Sequence, residues 1–172
     1  MRDHLILTAE NALAFERSIH FLQQTLTEFR RISFGMMPEL LYKNGLDDAL
    51  RQKCAELSAA SSREIQYHST GLQEDRFSRD GLMAVYRIIQ ELLDIARKQA
   101  YAQTVYVRVT QTDGKLQVNV DHDGEGMDMN QMSGVKGSGL RNIQQQVESL
   151  KGNMHVDSVN GKGTRVHIAL HI

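Results

Sequence analysis

The sequence predicts a two-layer α/β fold of the α+β kind, in which helices cover one face of a mixed, mostly antiparallel sheet and the other face is exposed to solvent. Two predicted hairpins are the first evidence. The stretch TVYVRVTQTDGKLQVNVD alternates apolar and polar residues on both sides of an Asp-Gly turn, and NMHVDSV and TRVHIALHI flank NGKG in the same way. The third observation is SRDGLMAVYRIIQELLDIARKQA, which has the period of a long amphipathic helix with Ser78 as its N-cap.

The remaining elements are shorter. EIQYHS is typical of a strand, and GLRNIQQQVESLKG predicts a short helix that Gly152 is placed to end. NGLDDALRQKCAEL predicts a further helix with one apolar side, formed by Leu46, Ala49, Leu50, Cys54 and Leu57. The predicted order is therefore two helices, strand, helix, hairpin, loop, helix, hairpin.

The first of these helices has an apolar seam with alternating steps of three and four residues. Its positions are Leu5, Thr8, Ala12, Phe15, Ile19, Leu22, Leu26, Phe29 and Ser33. Such a seam needs a partner helix, and a second copy of the chain is the simplest source, so we expect a homodimer. The alternative is that the helix packs on its own domain. Because Gly35 and Pro38 break the pattern, we predict a dimerisation arm over residues 1–35 and a main domain over residues 36–172.

Composition favours a globular protein and argues against several classes of partner. The chain has 172 residues, of which 41% are hydrophobic and 24% charged, enough for one main domain with a real core. Its 20 Lys and Arg and 21 Asp and Glu nearly cancel, which argues against nucleic-acid binding. Cys54 is the only cysteine, which favours a reducing compartment such as the cytoplasm. No apolar run is long enough for a signal peptide or a membrane span.

Five stretches stand in an order and spacing that resembles a known family. They are FRRISFGMMPELLYKNGLDDAL, VYRIIQELLDIARKQA, VDHDGEGMD, GSGLRNIQQQVESLKG and GKGTRVHIAL. The chain resembles sensor histidine kinases of the subclass that pairs with nitrate-type response regulators. The resemblance implies the last helix of a dimerisation bundle, followed by the Bergerat-type (GHKL) ATP-binding domain shared with DNA gyrase and certain chaperones. It also implies ATP and Mg²⁺ as cofactors and a response regulator as a possible partner.

The long predicted helix carries the first set of candidate site residues. Glu91 and Lys98 are seven residues apart, hence on one face, with Arg87 and Asp94 beside them. The resemblance implies that Glu91 activates the attacking group and that Lys98 approaches phosphate; a solvated face with ordinary ion pairs is the alternative. The family's magnesium-binding asparagine corresponds to Ile95, whose side chain cannot ligate a metal. Asp94 lies about 100° round the helix and could serve only if the metal moved.

The glycine-rich loop after the first hairpin carries the second set. The resemblance places the adenine-reading aspartate two residues before Gly124, where this chain has His122, while Asp121 and Asp123 should point to the other side of the extended backbone. The loop glycines are Gly124 and Gly126. The lid-hinge pattern of the family matches Gly137, Gly139 and Leu140, and the motif behind the adenine pocket matches Gly161, Gly163 and Thr164. Plain turn chemistry is the alternative for these last two motifs.

These departures predict weakened nucleotide binding. Each unmet buried partner costs about 1 to 3 kcal/mol, so two losses would weaken binding roughly 30- to 10,000-fold if they add. No helix in the sequence matches the one that carries the phosphate-accepting histidine, and His20 is better explained as a surface residue, so we do not expect transfer of phosphate to this chain. The leading hypothesis is the ATP-binding domain of a sensor histidine kinase with impaired nucleotide binding. A non-catalytic signalling scaffold, or a redesigned stable version of the fold without activity, stays open.

Overall fold

The computed structural model describes residues 39–98, 102–126 and 138–171, together with residues 15, 17–19, 21, 22 and 25. The chain divides into two compact units, Met1–Pro38 and Glu39–Ile172. The described residues of the first unit are helical, as predicted, and the rest of the predicted arm lies outside the described residues. The predicted boundary after residue 35 also lies outside them and stays a prediction.

The second unit contains the predicted elements in the predicted order. In chain order they are α1 (Glu39–Ala59), β1 (Glu64–Thr70), a short 3₁₀ helix (Glu74–Arg76), α2 (Arg79–Lys98), β2 (Thr104–Thr112), β3 (Lys115–His122), α3 (Ser138–Ser149), β4 (Asn153–Val159) and β5 (Gly163–His171). The Ser78 hydroxyl accepts a hydrogen bond from the Gly81 N–H at 3.1 Å, which confirms Ser78 as the N-cap of α2.

The five strands form one mixed sheet with the order β1-β2-β3-β5-β4. β1 pairs with β2 in parallel, and the other three pairings are antiparallel, so the predicted fold class is confirmed. Alternate residues of the three central strands point into the core: Val105, Val107, Val109, Leu116, Val118, Val120, Val166, Ile168 and Leu170. The opposite sheet face is polar and largely exposed, which places the helices and the core on a single side.

The tight turn between β2 and β3 has the predicted chemistry. Asp113 has a φ of 49° and Gly114 a φ of 73°. Two successive positive values are the signature of the type I′ turn, whose twist matches that of the flanking strands. The turn fixes the register that places Leu116, Val118 and Val120 on the buried face.

α1 buries the predicted apolar side, but it contains a break that the sequence does not predict. Gly45 has a φ of 88° and lies between two helical segments. The Glu74 carboxylate accepts hydrogen bonds from the N–H groups of Leu46 and Asp47, at 2.8 and 2.9 Å, and so caps the second segment. A Cβ at position 45 would overlap the Glu74 carboxylate, which explains the glycine.

The end of α3 requires one correction. The residue in the left-handed conformation is Lys151, with a φ of 56°, and not Gly152. The Gly152 N–H donates to the Val147 carbonyl and the Lys151 N–H to the Glu148 carbonyl, each at 2.9 Å, which is the Schellman arrangement. Gly152 is required for space instead, because a Cβ there would collide with the Leu170 side chain. The helix thus ends where predicted, for a different reason.

Candidate functional site

α2 has the two faces that its sequence predicts. Its core-facing residues are buried: Val85, Tyr86, Ile88, Ile89, Leu92, Leu93 and Ala96. On the other side Arg87 and Glu91 are partly exposed, and Asp94 and Lys98 are exposed. Burial lowers the pKa of Arg87, while the nearby charge of Glu91 acts in the opposite direction. These four residues form a polar arc on α2, which is partly buried at Glu91 and open to solvent at Lys98.

Glu91 is oriented by a residue of α3. The side-chain amide of Gln146 donates to both oxygens of the Glu91 carboxylate, at 3.3 and 3.4 Å. These are long hydrogen bonds, and they link the carboxylate on α2 to α3. Sequence reasoning missed Gln146 because 55 residues separate it from Glu91.

Ile95 contacts the first turn of α3. A Cβ built on Gly139 would lie 3.1 Å from the Ile95 Cδ1 and 3.5 Å from its Cγ1, so the two residues are packed closely. The position where the resemblance expects a magnesium-binding amide therefore makes a hydrocarbon contact. Within the described parts of the chain, no group of three or more His, Cys, Asp or Glu side chains is arranged to hold a metal ion.

His122 ends β3 with its side chain in the core layer. It is 7% exposed. Its Nδ1 accepts a hydrogen bond from the Gly124 N–H at 3.2 Å. Its Nε2 is sealed from solvent and has no hydrogen-bond partner among the described residues. Burial lowers the pKa of His122, and the charges of Asp123 and Asp121 only partly oppose that effect, so the imidazole is neutral at pH 7.

The two aspartates beside His122 have structural partners of their own. The Asp123 carboxylate accepts from the N–H groups of Gln103 and Thr104, at 2.8 and 2.9 Å. Burial acts to raise the pKa of Asp123, but these backbone hydrogen bonds outweigh it and hold the pKa below its usual range. Asp121 forms an ion pair with Arg165 on the neighbouring strand, with 3.2 Å between nitrogen and oxygen. The hydrogen bonds and the ion pair of these two carboxylates are thus made with residues other than His122.

The first part of the glycine-rich loop packs onto the β4–β5 turn. The Gly161 N–H donates to the Glu125 carbonyl at 2.6 Å. Gly126 has a φ of 77°, and a Cβ there would overlap the carbonyl oxygen of Val159. Gly163, with a φ of 88°, approaches the His122 carbonyl so closely that no Cβ could fit. At these two positions glycine is thus required by close backbone approach.

Thr164 completes this cluster. It faces His122 in the β3–β5 register and is buried. Its hydroxyl lies 2.7 Å from that of Ser158, a β4 residue that sequence reasoning did not single out. The fold thus brings together the predicted residues His122, Gly124, Gly126 and Thr164.

The other predicted residues fall elsewhere. Glu91 and Gly139 lie along the contact of α2 with α3, whereas Asp94 and Lys98 are exposed on α2. Leu140 is 2% exposed and belongs to the core. Gly137 lies outside the described residues. The ligand-binding roles assigned to all of these positions stay predictions.

Comparison with known proteins identifies the family. The model of the histidine kinase-, DNA gyrase B- and HSP90-like ATPases matches residues 81–172, more than half of the chain. The chain belongs to this family. Its described helices and strands are thus those of a GHKL-type ATPase domain.

Relatives and solved structures agree with this assignment. The sensor histidine kinase MctS of Rhizobium johnstonii is 28% identical over 149 residues, covering 86% of this chain and 32% of the relative. The sensor histidine kinase ComP of Bacillus subtilis is 27% identical over 155 residues, covering 88% of this chain and 20% of the relative. The chain thus spans a third or less of the length of these relatives.

Among solved structures, the blue-light activated histidine kinase of Erythrobacter litoralis EL346 superposes with a TM-score of 0.65 at 20% identity. The match covers 87% of this chain and 49% of that one. At this level of identity the likeness shows the fold alone.

The family binds ATP with magnesium in general, but the described residues do not fit that ligand at two positions. Ile95 offers no oxygen to a hard cation that requires oxygen ligands. His122 offers a bulkier and chemically different group where the resemblance expects a carboxylate.

Proposed function

We propose that this chain is the nucleotide-binding part of a two-component sensor histidine kinase and that its affinity for magnesium-bound ATP is reduced. Membership of the ATPase family and the printed names of both relatives support the class. The contact between Ile95 and Gly139 is the observation that supports the reduced affinity. A methyl group packed on the first turn of α3 replaces a metal ligand and leaves the cation without that oxygen.

The same proposal includes partners and location. Residues 1–35 form the dimerisation arm, and a response regulator is the downstream partner. The described seam residues support the arm: Phe15, Ile19 and Leu22 are helical and 59%, 40% and 56% exposed, so their apolar surface is available to a second helix. We place the chain in the cytoplasm. None of the described helices is long and apolar enough to cross a bilayer.

Calorimetric titration with a non-hydrolysable ATP analogue and Mg²⁺ tests the reduced affinity. We expect millimolar or weaker binding by the unaltered chain. Ile95→Asn should tighten binding by about 5- to 150-fold, because one unmet partner is worth about 1 to 3 kcal/mol. The gain should vanish when EDTA removes the metal.

Ile95→Ala is the matched control, since it removes the methyl contact without supplying an oxygen. An equal gain in Ile95→Ala would show that bulk, and not ligation, limits binding. Micromolar affinity in the unaltered chain would contradict the reduced affinity.

A second candidate function is a non-catalytic signalling scaffold. The hydrogen bonds from Gln146 to Glu91 favour it, because they engage the carboxylate to which the resemblance assigns the activating role. If every variant folds, shown by circular dichroism, and none binds nucleotide up to millimolar concentration, the scaffold is supported and the ATPase proposal fails.

A further inference from the structure

The hydrogen bond between Gly124 and His122 fixes which imidazole nitrogen carries the proton. The Gly124 N–H is a donor, so the Nδ1 that it contacts must be the unprotonated acceptor. In a neutral imidazole the proton then resides on Nε2. Protonation of the ring would leave Nε2 an N–H group as well. In both charge states, therefore, the buried face of His122 presents a donor.

This donor has no matching acceptor in the part of the chain that the structure describes. Nε2 is sealed from water and finds no acceptor among the described residues. Buried polar groups are nearly always paired, so an orphaned one points to a ligand or to a functional constraint. Thr164 lies opposite His122 in the β3–β5 register, and the Gly124 N–H contacts the other ring nitrogen.

A donor at position 122 requires an acceptor on the base, whereas the aspartate of the resembled family requires a donor. A carboxylate accepts from the 6-amino group of adenine, whereas an Nε2–H facing that amino group would set two donors against each other. A purine with an oxygen at position 6 carries an acceptor there. The substitution of aspartate by histidine therefore changes which base is complementary.

We infer that the site around His122 selects 6-oxo purine nucleotides, of the guanine and hypoxanthine type, over adenine nucleotides, with Nε2–H donating to the base oxygen. The inference rests on the proposed function, because it requires that this domain bind a purine nucleotide. The atoms that cover Nε2 must move aside for any base, so absolute affinities include that cost. This cost is common to all bases, so it cancels in the ratio of the affinities for two nucleotides, and that ratio is the quantity to compare.

Calorimetric titration with GDP, IDP and ADP in EDTA tests the inference. Diphosphates are used without metal so that the change at Ile95, the expected magnesium position, does not affect the measured affinities. IDP shares the 6-oxygen of GDP but lacks its 2-amino group, so it isolates the contact with His122. GDP and IDP should both bind about 5- to 150-fold more tightly than ADP, the range expected for one unmatched buried polar group.

Substitution at position 122 should reverse the preference. His122→Asp supplies an acceptor and should favour ADP over IDP. His68→Asp is the matched control, because it makes the same change on an exposed strand residue, and it should leave the ratio unchanged. Long-range ¹H–¹⁵N spectra of the unaltered protein give an independent test that needs no variant: Nε2 should carry the proton and Nδ1 should not.

The outcomes separate the inference from the proposed function. ADP binding as tightly as or more tightly than GDP and IDP would overturn the base preference and leave the nucleotide-binding function standing. GDP binding without IDP binding would show that the 6-oxygen is not the group recognised, and the opposite tautomer of His122 would remove the donor; either result overturns the inference. No binding of GDP or IDP up to millimolar concentration would overturn the base preference, whereas the titrations of the Ile95 variants with the ATP analogue and Mg²⁺ decide the proposed function separately.

Discussion

At the scale of single residues, Asp47 joins α1 to β1. Its carboxylate accepts hydrogen bonds from the Tyr67 hydroxyl at 2.8 Å and from the Arg51 guanidinium at 3.1 Å. Burial acts to raise the pKa of Asp47, but hydrogen bonds from Ser69, Tyr67 and Arg51 outweigh it, so the pKa lies below its ordinary value of 3.8. The ionised form is therefore the one that the fold stabilises.

This gives a prediction for stability against pH. A lowered pKa contributes stability that is fully present above 3.8 and is lost as the pH falls through the native pKa. Asp47→Asn should lower the free energy of unfolding at pH 7 by about 1 kcal/mol, allowing for the partial exposure of the side chain. The deficit should shrink as the pH is lowered below 3.8.

Urea denaturation at pH 7 and at several acidic pH values measures it. Asp48→Asn, at the exposed neighbouring position, is the control and should have little effect. A deficit from Asp47→Asn that stays constant over the whole pH range would contradict the assignment.

At the scale of elements, two adjacent residues at the end of α3 are subject to different structural constraints. Lys151 adopts a left-handed conformation that favours glycine, whereas Gly152 is confined by the Leu170 side chain and the Ala169 carbonyl. The sequence places the one glycine at the second of these positions. The lack of room for a Cβ at position 152 is the stronger constraint. A lysine at position 151 can adopt a positive φ at a moderate cost.

Substitutions at these two positions should therefore have opposite signs. Lys151→Gly should raise the free energy of unfolding by about 0.5 to 1 kcal/mol, because it relieves the left-handed strain. Gly152→Ala should lower it by about 1 to 3 kcal/mol, because β5 must shift to accept the methyl group. Chemical denaturation followed by circular dichroism measures both. Effects of the same sign would mean that the helix end is shaped differently.

At the scale of the whole molecule, the exposed seam on the first unit gives a prediction about assembly. Phe15, Ile19 and Leu22 share one face of a helix, and Arg17 lies on the opposite face of the same turns. An exposed apolar face of this kind is stabilised when a second helix covers it.

Sedimentation of the full chain should show a dimer. Ile19→Glu should shift it toward monomer by placing a charge in the seam, whereas Arg17→Glu should leave it dimeric. A monomer before substitution would refute the proposed arm, and equal effects of the two variants would locate the contact elsewhere.

Most of the fold could be predicted because it depends on local patterns. The alternation in residues 104–121 fixes two strands and their buried faces, and Asp113 and Gly114 fix the turn between them. The period of α2 likewise separates its core face from its polar arc. Each pattern spans only the residues that form the element, so no knowledge of distant neighbours is needed.

The sequence by itself therefore determined the element order, the amphipathic faces and the altered residues at positions 95 and 122. Only the tertiary structure decided what those residues contact. Glu74 caps a helix 28 residues earlier in the chain, and Gln146 orients a carboxylate 55 residues away. Ile95 contacts Gly139, and one nitrogen of the His122 imidazole has no hydrogen-bond partner among the described residues, because packing brings together residues whose proximity is not encoded by their spacing along the chain.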